Sequence, residues 1–334
     1  MRILVTGGCG FIGSNLIHYL LRTHEHLHLL NIDALTYAAN PRNLEGVEGD
    51  PRYQFKQIDI ADRSALRATL HEFRPEGIFH LAAETHVDNS IREPEPFIQA
   101  NVIGTFNLLE EARLLWEEGE GRFLHVSTDE VFGVVEGGGS FDEDSPLRPN
   151  NPYSATKAGS DHLVRAWYQT YGLDVVTTNC SNNFGPRQHR EKLIPTVITS
   201  ALSGKPIPVY GEGQNIRDWL YIEDHCAALD LLFSEGKAGE TYVIGTRNEW
   251  KNIDLVRMIC STLDEVEGGG LEGGYASLIT FVEDRLGHDL RYAVDPSKIE
   301  REFGWKAERG FKQAIRETVI WYRDMLREAK EGAV

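Results

Sequence analysis

A glycine-rich turn between a short apolar strand and a helical pattern constrains the fold of this chain more than any other feature. The strand covers residues 2–6, and glycines follow at Gly7, Gly10 and Gly13 before the helical pattern begins. Glycines at this spacing allow a tight turn, close approach of the backbone to a pyrophosphate, and close packing of helix on strand. The sequence therefore predicts a dinucleotide-binding site at this turn.

An acidic residue after the next strand narrows the choice of dinucleotide. The second predicted strand covers residues 27–32 and ends at Asp33. A carboxylate here can hold the 2′-hydroxyl of a ribose and repel a 2′-phosphate. Ala34 and Leu35 follow, with no adjacent arginine that would favour the phosphate. We therefore expect NAD rather than NADP.

Strands and helices go on alternating through the first half of the chain. Further strands are predicted over residues 53–58, 77–81 and 123–127, with helices over 62–73 and 96–116. This alternation predicts an α/β fold, a doubly wound parallel sheet of the Rossmann type.

Small and polar residues follow two of these strands, at the edge where such sheets bind ligands. Asp59 and Ile60 are placed to touch an adenine ring, and the small side chains of Ala82 and Ala83 let a dinucleotide lie against the backbone. The polar residues Thr85 and His86 belong to the same edge, although His86 could equally be a solvated loop residue.

The strand over residues 123–127 ends in three polar residues, Thr128, Asp129 and Glu130. A helix that starts near residue 152 then carries Tyr153 and Lys157, four residues apart and so on one face. An ammonium beside a phenol favours the phenolate, so we expect Lys157 to lower the pKa of Tyr153 and make it a base. Tyr-x-x-x-Lys also occurs by chance on many helices, and its position after the glycine turn and the polar triplet favours catalysis.

Charge and composition exclude several classes of function. The chain has 334 residues, with 34 basic and 51 acidic residues and a net charge of −17, which argues against a nucleic-acid surface. No apolar run is long enough to cross a membrane. Four widely spaced cysteines and an apolar strand directly after Met1 indicate a cytoplasmic protein with reduced thiols and no signal peptide.

The histidines between residues 24 and 28 have no acid or cysteine cluster beside them, so we predict a solvated loop there and no metal site.

The second half of the chain is less regular. We predict an NAD-binding domain over residues 1–180, joined by a returning segment at about 218–246. A smaller, irregular α/β domain that binds substrate is predicted over residues 181–217 and 247–334.

With these motifs in this order, the chain resembles the extended short-chain dehydrogenase/reductase superfamily. Within it, the Thr128-Asp129-Glu130 triplet resembles the nucleoside-diphosphate-sugar 4,6-dehydratases, most closely those that act on dTDP-glucose. The likeness covers nearly the whole chain and includes specific strings at residues 80–88, 191–195, 215–225 and 284–292.

The resemblance implies a lyase that uses tightly bound, recycled NAD to convert dTDP-glucose to dTDP-4-keto-6-deoxyglucose in deoxysugar biosynthesis. C4 is oxidised, water is eliminated from C5 and C6, and C6 is finally reduced. Tyr153 would take the C4 hydroxyl proton, supported by Lys157 and Thr128. Glu130 would remove the C5 proton, and Asp129 would protonate the departing C6 hydroxyl.

The expected site residues form three sets. The catalytic set is Thr128, Asp129, Glu130, Tyr153 and Lys157. The cofactor set is Gly7, Gly10, Phe11, Ile12, Gly13, Asp33, Ala34, Leu35, Thr36, Asp59, Ile60, Leu81, Ala82, Ala83, Tyr153, Lys157 and Asn183. The substrate set is Thr85, His86, Thr128, Asn182, Lys192, Leu193, Pro208, Tyr210, Arg217, Asn252, Asp284 and His288.

Several alternatives stay open at this point. Leu286 stands where the family usually has proline, which bears on the choice of nucleotide base. The same chemistry on UDP- or CDP-glucose, a nucleotide-sugar 4-epimerase, or an NAD-binding sensor or scaffold would share much of the pattern. The resemblance also implies a homodimer that pairs the helices at residues 96–116 and 152–171.

Overall fold

The computed structural model describes residues 1–116, 121–135, 138–269, 271–284 and 289–331. The strands are β1 (Arg2–Thr6), β2 (His28–Asp33), β3 (Tyr53–Gln57), β4 (Gly77–His80), β5 (Arg122–Thr128), β6 (Val175–Cys180), β7 (Asn182–Phe184), β8 (Ile207–Tyr210), β9 (Ile216–Tyr221), β10 (Thr241–Ile244), β11 (Glu249–Lys251) and β12 (Ile279–Val282). The α-helices are α1 (Phe11–Thr23), α2 (Arg63–Phe73), α3 (Val87–Arg92), α4 (Glu95–Phe97), α5 (Thr105–Leu115), α6 (Pro152–Tyr171), α7 (Leu193–Leu202), α8 (Ile222–Glu235), α9 (Asn252–Glu267), α10 (Ser297–Phe303) and α11 (Phe311–Glu331). A π-helical segment spans Ile98–Gly104, and 3₁₀ turns span Pro41–Leu44, Asp129–Phe132 and Tyr275–Leu278.

The main sheet has seven strands in the order β10-β6-β5-β4-β1-β2-β3, and all its pairings are parallel. The side chains of Ile3 and Val5 enter one apolar cluster, whereas Leu4 between them enters another. Because alternate residues of a strand face opposite sides, this shows that β1 is covered on both faces. The predicted doubly wound Rossmann-type sheet is confirmed.

Local sequence signals explain the helix that carries Tyr153 and Lys157. Asn151 and Ser154 form a reciprocal capping box at the start of α6, with Pro152 in the first turn. The helix ends at Gly172, whose φ of 71° is left-handed. These caps set where α6 begins and ends.

The helix expected over residues 96–116 differs from the prediction, because it is divided into α4, the π-helical segment and α5. At this widened turn the side chain of Asn101 pairs with the backbone N–H and C=O of Glu84, at 2.9 and 3.1 Å. It also donates to Thr156 Oγ1 at 2.9 Å. The π-segment therefore ties the loop after β4 to α6, a tertiary requirement that helical periodicity does not reveal.

The rest of the chain builds smaller sheets over the edge of the main one. One has the strand order β11-β9-β7, and the other pairs β12 with β8. Helices α7, α9 and α11 pack on one another beside them. None of the helices in the described parts of the chain is long and apolar enough to cross a membrane.

Candidate functional site

The glycine turn brings the N-terminus of α1 against the end of β4. Gly7 has a φ of +72°, and a Cβ there would lie 2.8 Å from the backbone of Ala82. A Cβ on Gly13 would lie 2.3 Å from the carbonyl oxygen of Gly7. Both contacts are too short for any side chain, so these glycines allow the turn, the helix and the loop after β4 to meet.

Asp33 lies at the same end of the main sheet, as the last residue of β2. Its two carboxylate oxygens accept hydrogen bonds from the backbone N–H groups of Cys9, at 2.9 Å, and Leu35, at 2.8 Å. Burial raises the pKa of Asp33, and these two hydrogen bonds oppose that shift. Leu35 itself adopts a left-handed backbone with φ of 57°, and it contributes its N–H group to this arrangement.

A cavity of about 440 Å³ runs from the glycine turn to the end of β5. Predicted site residues that line it are Gly7, Gly10, Phe11, Ile12, Gly13, Asp33, Ala34, Thr36, Asp59, Ile60, Leu81, Ala82, Ala83, Thr85, Thr128, Asp129, Glu130, Tyr153, Lys157, Asn182, Asn183 and Lys192. Predicted residues outside its lining are Leu35, His86, Leu193, Pro208, Tyr210, Arg217, Asn252 and Asp284. The predicted contact His288 lies outside the described residues.

The lining also holds buried polar atoms that make no hydrogen bond to the described part of the chain. They include Asp129 Oδ2, Ser181 Oγ, Asn182 Oδ1, Asn183 Oδ1 and Gln188 Oε1. Leaving a buried polar atom unpaired costs about 1–3 kcal/mol, so such atoms call for a polar ligand. A dinucleotide with ribose hydroxyls and a carboxamide fits these groups and the close glycine turn.

Tyr153 and Lys157 both line this cavity, and both are buried. The Nζ of Lys157 donates to the carbonyl oxygen of Val126 at 2.8 Å. The prediction that Lys157 lowers the pKa of Tyr153 is wrong for this structure, where that pKa is raised well above its usual value. Burial is the main cause and the charge of Glu130 adds to it, while a hydrogen bond with Thr128 acts in the opposite direction.

The carboxyl pair after Thr128 occupies a 3₁₀ turn at the end of β5. The hydroxyl of Thr128 accepts from the backbone N–H of Glu130 at 3.2 Å and donates to Asp129 Oδ1 at 3.2 Å. Only 2 % of Asp129 is exposed, and burial together with the neighbouring charge of Glu130 raises its pKa to about 8. A carboxyl with this pKa is mostly protonated at pH 7 and can act as a general acid.

A second group of polar residues lies between β9 and the segment near residue 290. The guanidinium of Arg217 donates to the carbonyl oxygens of Ile216, at 2.7 Å, and Asp289, at 2.9 Å, and lies 4.4 Å from the ring centre of Tyr292. The hydroxyl of Tyr292 donates to Asp289 Oδ2. Arg217 acts electrostatically on Asp129, and Glu130 acts on Tyr292. This group therefore stands beside the carboxyl pair.

The other predicted substrate residues are distributed around this group. A Cβ on Gly211 would lie 3.0 Å from Asp284 Oδ2, so Asp284 lies against the turn that follows Tyr210, which is 47 % exposed. Asn252 donates its N–H to the carbonyl of Asn215 at 2.9 Å, and its Oδ1 is buried with no hydrogen-bond partner among the described residues.

Loops from three parts of the chain meet at the rim of the cavity around one carboxylate. We call this group the rim cluster: Tyr37, His86, His189, Glu191 and Lys192. The Glu191 carboxylate lies 3.6 Å from His86 Nε2, 3.4 Å from His189 Nδ1 and 3.8 Å from Lys192 Nζ, and it accepts from Tyr37 OH at 3.4 Å. Glu191 thus connects the loops that follow β2, β4 and β7.

Sequence reasoning missed several residues of the site. Ser181 and Gln188 line the cavity, and Tyr37, His189 and Glu191 complete its rim. Ser181 is adjacent to the predicted Asn182, so proximity along the chain could have indicated it. No sequence signal joins Tyr37 to Glu191, because their contact depends on the folded loops. The described residues contain no group of three or more histidine, cysteine, aspartate or glutamate side chains with an arrangement that could hold a metal ion.

Comparison with known proteins agrees with this geometry. The sequence model of the family described as GDP-mannose 4,6 dehydratase matches residues 4–318. A probable dTDP-glucose 4,6-dehydratase of Sinorhizobium fredii is 52 % identical, over 96 % of this chain and 93 % of its own. A dTDP-glucose 4,6-dehydratase of Neisseria meningitidis is 51 % identical, over 97 % and 93 % of the two chains.

Comparison with solved structures finds the same kind of enzyme. The dTDP-glucose 4,6-dehydratase DesIV of Streptomyces venezuelae, crystallised with NAD bound, superposes with a TM-score of 0.89 at 45 % identity, over 97 % of each chain. With a family match that spans most of its length and relatives this similar, the chain belongs to the GDP-mannose 4,6-dehydratase family, among the dTDP-glucose 4,6-dehydratases.

Proposed function

We propose that this chain is an NAD-dependent lyase that converts dTDP-glucose to dTDP-4-keto-6-deoxyglucose in deoxysugar biosynthesis. The buried Asp129, with a pKa raised to about 8 beside Glu130 and in the same cavity as Tyr153, supports the proposal most directly. The proposed elimination of water needs an acid and a second carboxyl close together, and this pair supports that requirement. The relatives are named for this substrate and reaction.

The cavity fits NAD as the cofactor. The glycine turn would hold the pyrophosphate, and Asp33 would hold the adenosine ribose. Thr36, Asp59 and Ile60 would contact the adenosine, and Asn183 the nicotinamide. When bound, NAD would supply the redox chemistry for oxidation at C4 and reduction at C6, with no net change in its own oxidation state.

Tyr153 would act on the C4 hydroxyl of the sugar. In the ionised form, which burial and the charge of Glu130 disfavour in this structure, its phenolate oxygen would take the hydroxyl proton, and Thr128 would hydrogen-bond the same oxygen. Lys157 would bind a ribose hydroxyl of the cofactor and provide positive charge near the phenol. Oxidation of C4 to a ketone makes the C5 proton acidic, whereas the C5 proton of an unoxidised hexose is not acidic.

The carboxyl pair would then carry out the elimination. Glu130 removes the C5 proton, while protonated Asp129 gives its proton to the C6 hydroxyl as water leaves. Burial and repulsion between the two carboxyls favour one proton on the pair, and the deeply buried Asp129 is the member that keeps it.

We propose that the nucleotide portion binds to the smaller domain, predicted over residues 181–217 and 247–334. Arg217 and Lys192 supply positive charge for the diphosphate. Tyr210 would stack on the base, and Thr85, His86, Asn182, Leu193, Pro208, Asn252, Asp284 and His288 complete the proposed contacts. The unpaired Oδ1 of Asn252 and the exposed ring of Tyr210 support this assignment.

We also propose a cytoplasmic homodimer. The four cysteines are free and buried, which suits a reducing compartment.

The proposed dimer surface carries exposed apolar side chains along the π-segment and the ends of α5 and α6: Ile98, Ile103, Leu114 and Tyr171. Sedimentation analysis should give twice the chain mass of 37.6 kDa. The double substitution Ile98→Glu and Ile103→Glu should lower it to one chain, and Phe281→Glu, on an exposed residue elsewhere, should not.

Incubation with dTDP-glucose in heavy water, without added cofactor, tests the proposed reaction. We expect loss of one water and deuterium at C5 of the product, detected by mass spectrometry and NMR. A C4 epimer without loss of water would identify a 4-epimerase instead. An NAD-loaded protein that converts UDP- or CDP-glucose but not dTDP-glucose would contradict the proposed substrate, and one that converts no sugar nucleotide would favour a sensor or scaffold.

A further inference from the structure

A buried carboxylate lies one helical turn beyond Lys157. Tyr153, Lys157 and Asp161 are spaced four residues apart on α6 and therefore share one face of the helix. Asp161 is only 8 % exposed. It lines no part of the cavity, so it does not touch whatever the cavity binds.

Three donors from the neighbouring strands hold the carboxylate of Asp161 in place. His125 Nε2 lies 3.1 Å from Oδ1, while Ser127 Oγ and Asn179 Nδ2 donate to Oδ2 at 3.0 and 3.2 Å. The same Asn179 amide donates to the backbone carbonyl of Thr128 at 3.1 Å. Asp161 is therefore connected to both β5 and β6 directly beneath the catalytic triplet.

Lys157 needs a counter-charge. It is 4 % exposed, and burial lowers its pKa, while the charge of Asp161 acts in the opposite direction. Its other titratable neighbours are neutral near pH 7. Burial raises the pKa of the Cys180 thiol to about 12 and lowers that of His125 to about 4. Burial also keeps the pKa of His80 well below its usual value.

We propose that Asp161 is a positioning residue for the reaction, because its carboxylate, one helical turn away on the same face of α6, keeps the buried Lys157 ammonium charged. The inference rests on the proposed function, in which the ammonium of Lys157 supports Tyr153 and the ribose. A purely structural role would instead require only that Asp161 accept the hydrogen bonds of His125, Ser127 and Asn179.

Titration of Lys157 separates these two roles without any turnover. The protein is labelled with ¹³C-lysine, and the Cε signal of Lys157 is identified by its loss in Lys157→Arg. We expect Asp161→Asn to lower the midpoint of that signal by about one pH unit, because the charge of Asp161 raises the pKa of Lys157 and loss of a neighbouring opposite charge shifts a pKa by about 1–3 units. Asp161→Glu keeps the charge and Ser127→Ala removes only one hydrogen bond, so both should stay within a few tenths of a unit.

An unchanged midpoint in folded Asp161→Asn would overturn the proposal. If that variant does not fold, Asp161→Ser, which also lacks the charge, decides the matter. A midpoint about one unit below that of the wild type supports the counter-charge role, and an unchanged midpoint contradicts it.

The pH dependence of the turnover rate provides a second test of the role of Asp161. The ratio of wild-type to Asp161→Asn rates should rise with pH, by up to about tenfold for a one-unit shift, because Lys157 loses its proton earlier in the variant. A ratio that does not change with pH would show a structural role. Absence of any turnover by the wild type would refute the proposed function, while the titration of Lys157 would still decide the role of Asp161.

Discussion

Replacing Asp129 by asparagine tests the central feature of the site, the carboxyl that stays protonated. With a pKa of about 8, Asp129 is roughly 90 % protonated at pH 7 and about 10 % protonated at pH 9. The proposed mechanism requires the acid form, so activity should be present below pH 8 and fall about tenfold for each further unit as the pH rises. Measurement of kcat between pH 6 and 10 should show this alkaline limb.

Asp129→Asn keeps the shape of the side chain and removes the transferable proton. We expect kcat to fall by about 10²–10⁴, the usual contribution of a positioned acid, and the limb near pH 8 to disappear. Glu130 remains in this variant, so removal of the C5 proton should continue. NMR of dTDP-glucose recovered from heavy water should therefore show deuterium at C5 accumulating faster than water is lost.

Glu130→Gln is the matched comparison, because it removes the proposed base and leaves Asp129 in place. It should block both exchange at C5 and loss of water. The assignment of the two roles is refuted if Asp129→Asn blocks exchange while Glu130→Gln allows it. Retention of the limb near pH 8 in Asp129→Asn would show that another group controls it.

Three further changes test separate parts of the structure. Gly13→Ala places a Cβ 2.3 Å from Gly7 O and should weaken NAD binding by about 1–3 kcal/mol, which calorimetry would show as a roughly 5- to 150-fold higher Kd. The control is Gly10→Ala, whose Cβ would lie 3.2 Å from its nearest atom and which should weaken NAD binding less. Glu191→Gln weakens the rim cluster and should speed release of labelled NAD by about 3- to 10-fold, while Glu72→Gln, in a distant ion pair with Lys56, should not. His225 is buried with both ring nitrogens unpaired among the described residues, so His225→Leu should raise the free energy of unfolding by about 1 kcal/mol at pH 7. Burial lowers the folded-state pKa of His225 to about 3, so the unfolded chain binds the proton first and stability falls as the pH drops from 6.5 towards 3; thermal melts of His225→Leu should show less of this loss.

Local signals account for most of the main sheet and its helices. The glycine turn, the cap at Asn151 and the left-handed Gly172 each act within a few residues, so the sequence could place α1 and α6 to within a residue or two. The polar residues at the ends of β2, β4 and β5 could be assigned to the site because parallel strands bring their carboxyl ends to one edge.

Features that depend on contacts between distant residues could not be predicted. The π-segment exists where Asn101 reaches both Glu84 and Thr156, and the rim cluster exists where Glu191 reaches Tyr37 and His86. Neither the π-segment nor the rim cluster produces a periodic pattern in the sequence. The pKa of Tyr153 was wrongly predicted for a related reason, because the spacing to Lys157 says nothing about burial or about the contact of Lys157 Nζ with Val126.

The raised pKa of Tyr153 also gives the proton on Asp129 a second role. Negative charge on Glu130 and on Asp129 opposes formation of the phenolate, and burial removes the water that would screen it. A neutral Asp129 removes one of these two repulsions while it holds the proton needed for elimination. Above pH 8, ionisation of Asp129 should therefore impair two steps together, the loss of the C6 hydroxyl and the deprotonation by Tyr153. The two impairments share one titrating group, so they should appear as a single alkaline limb.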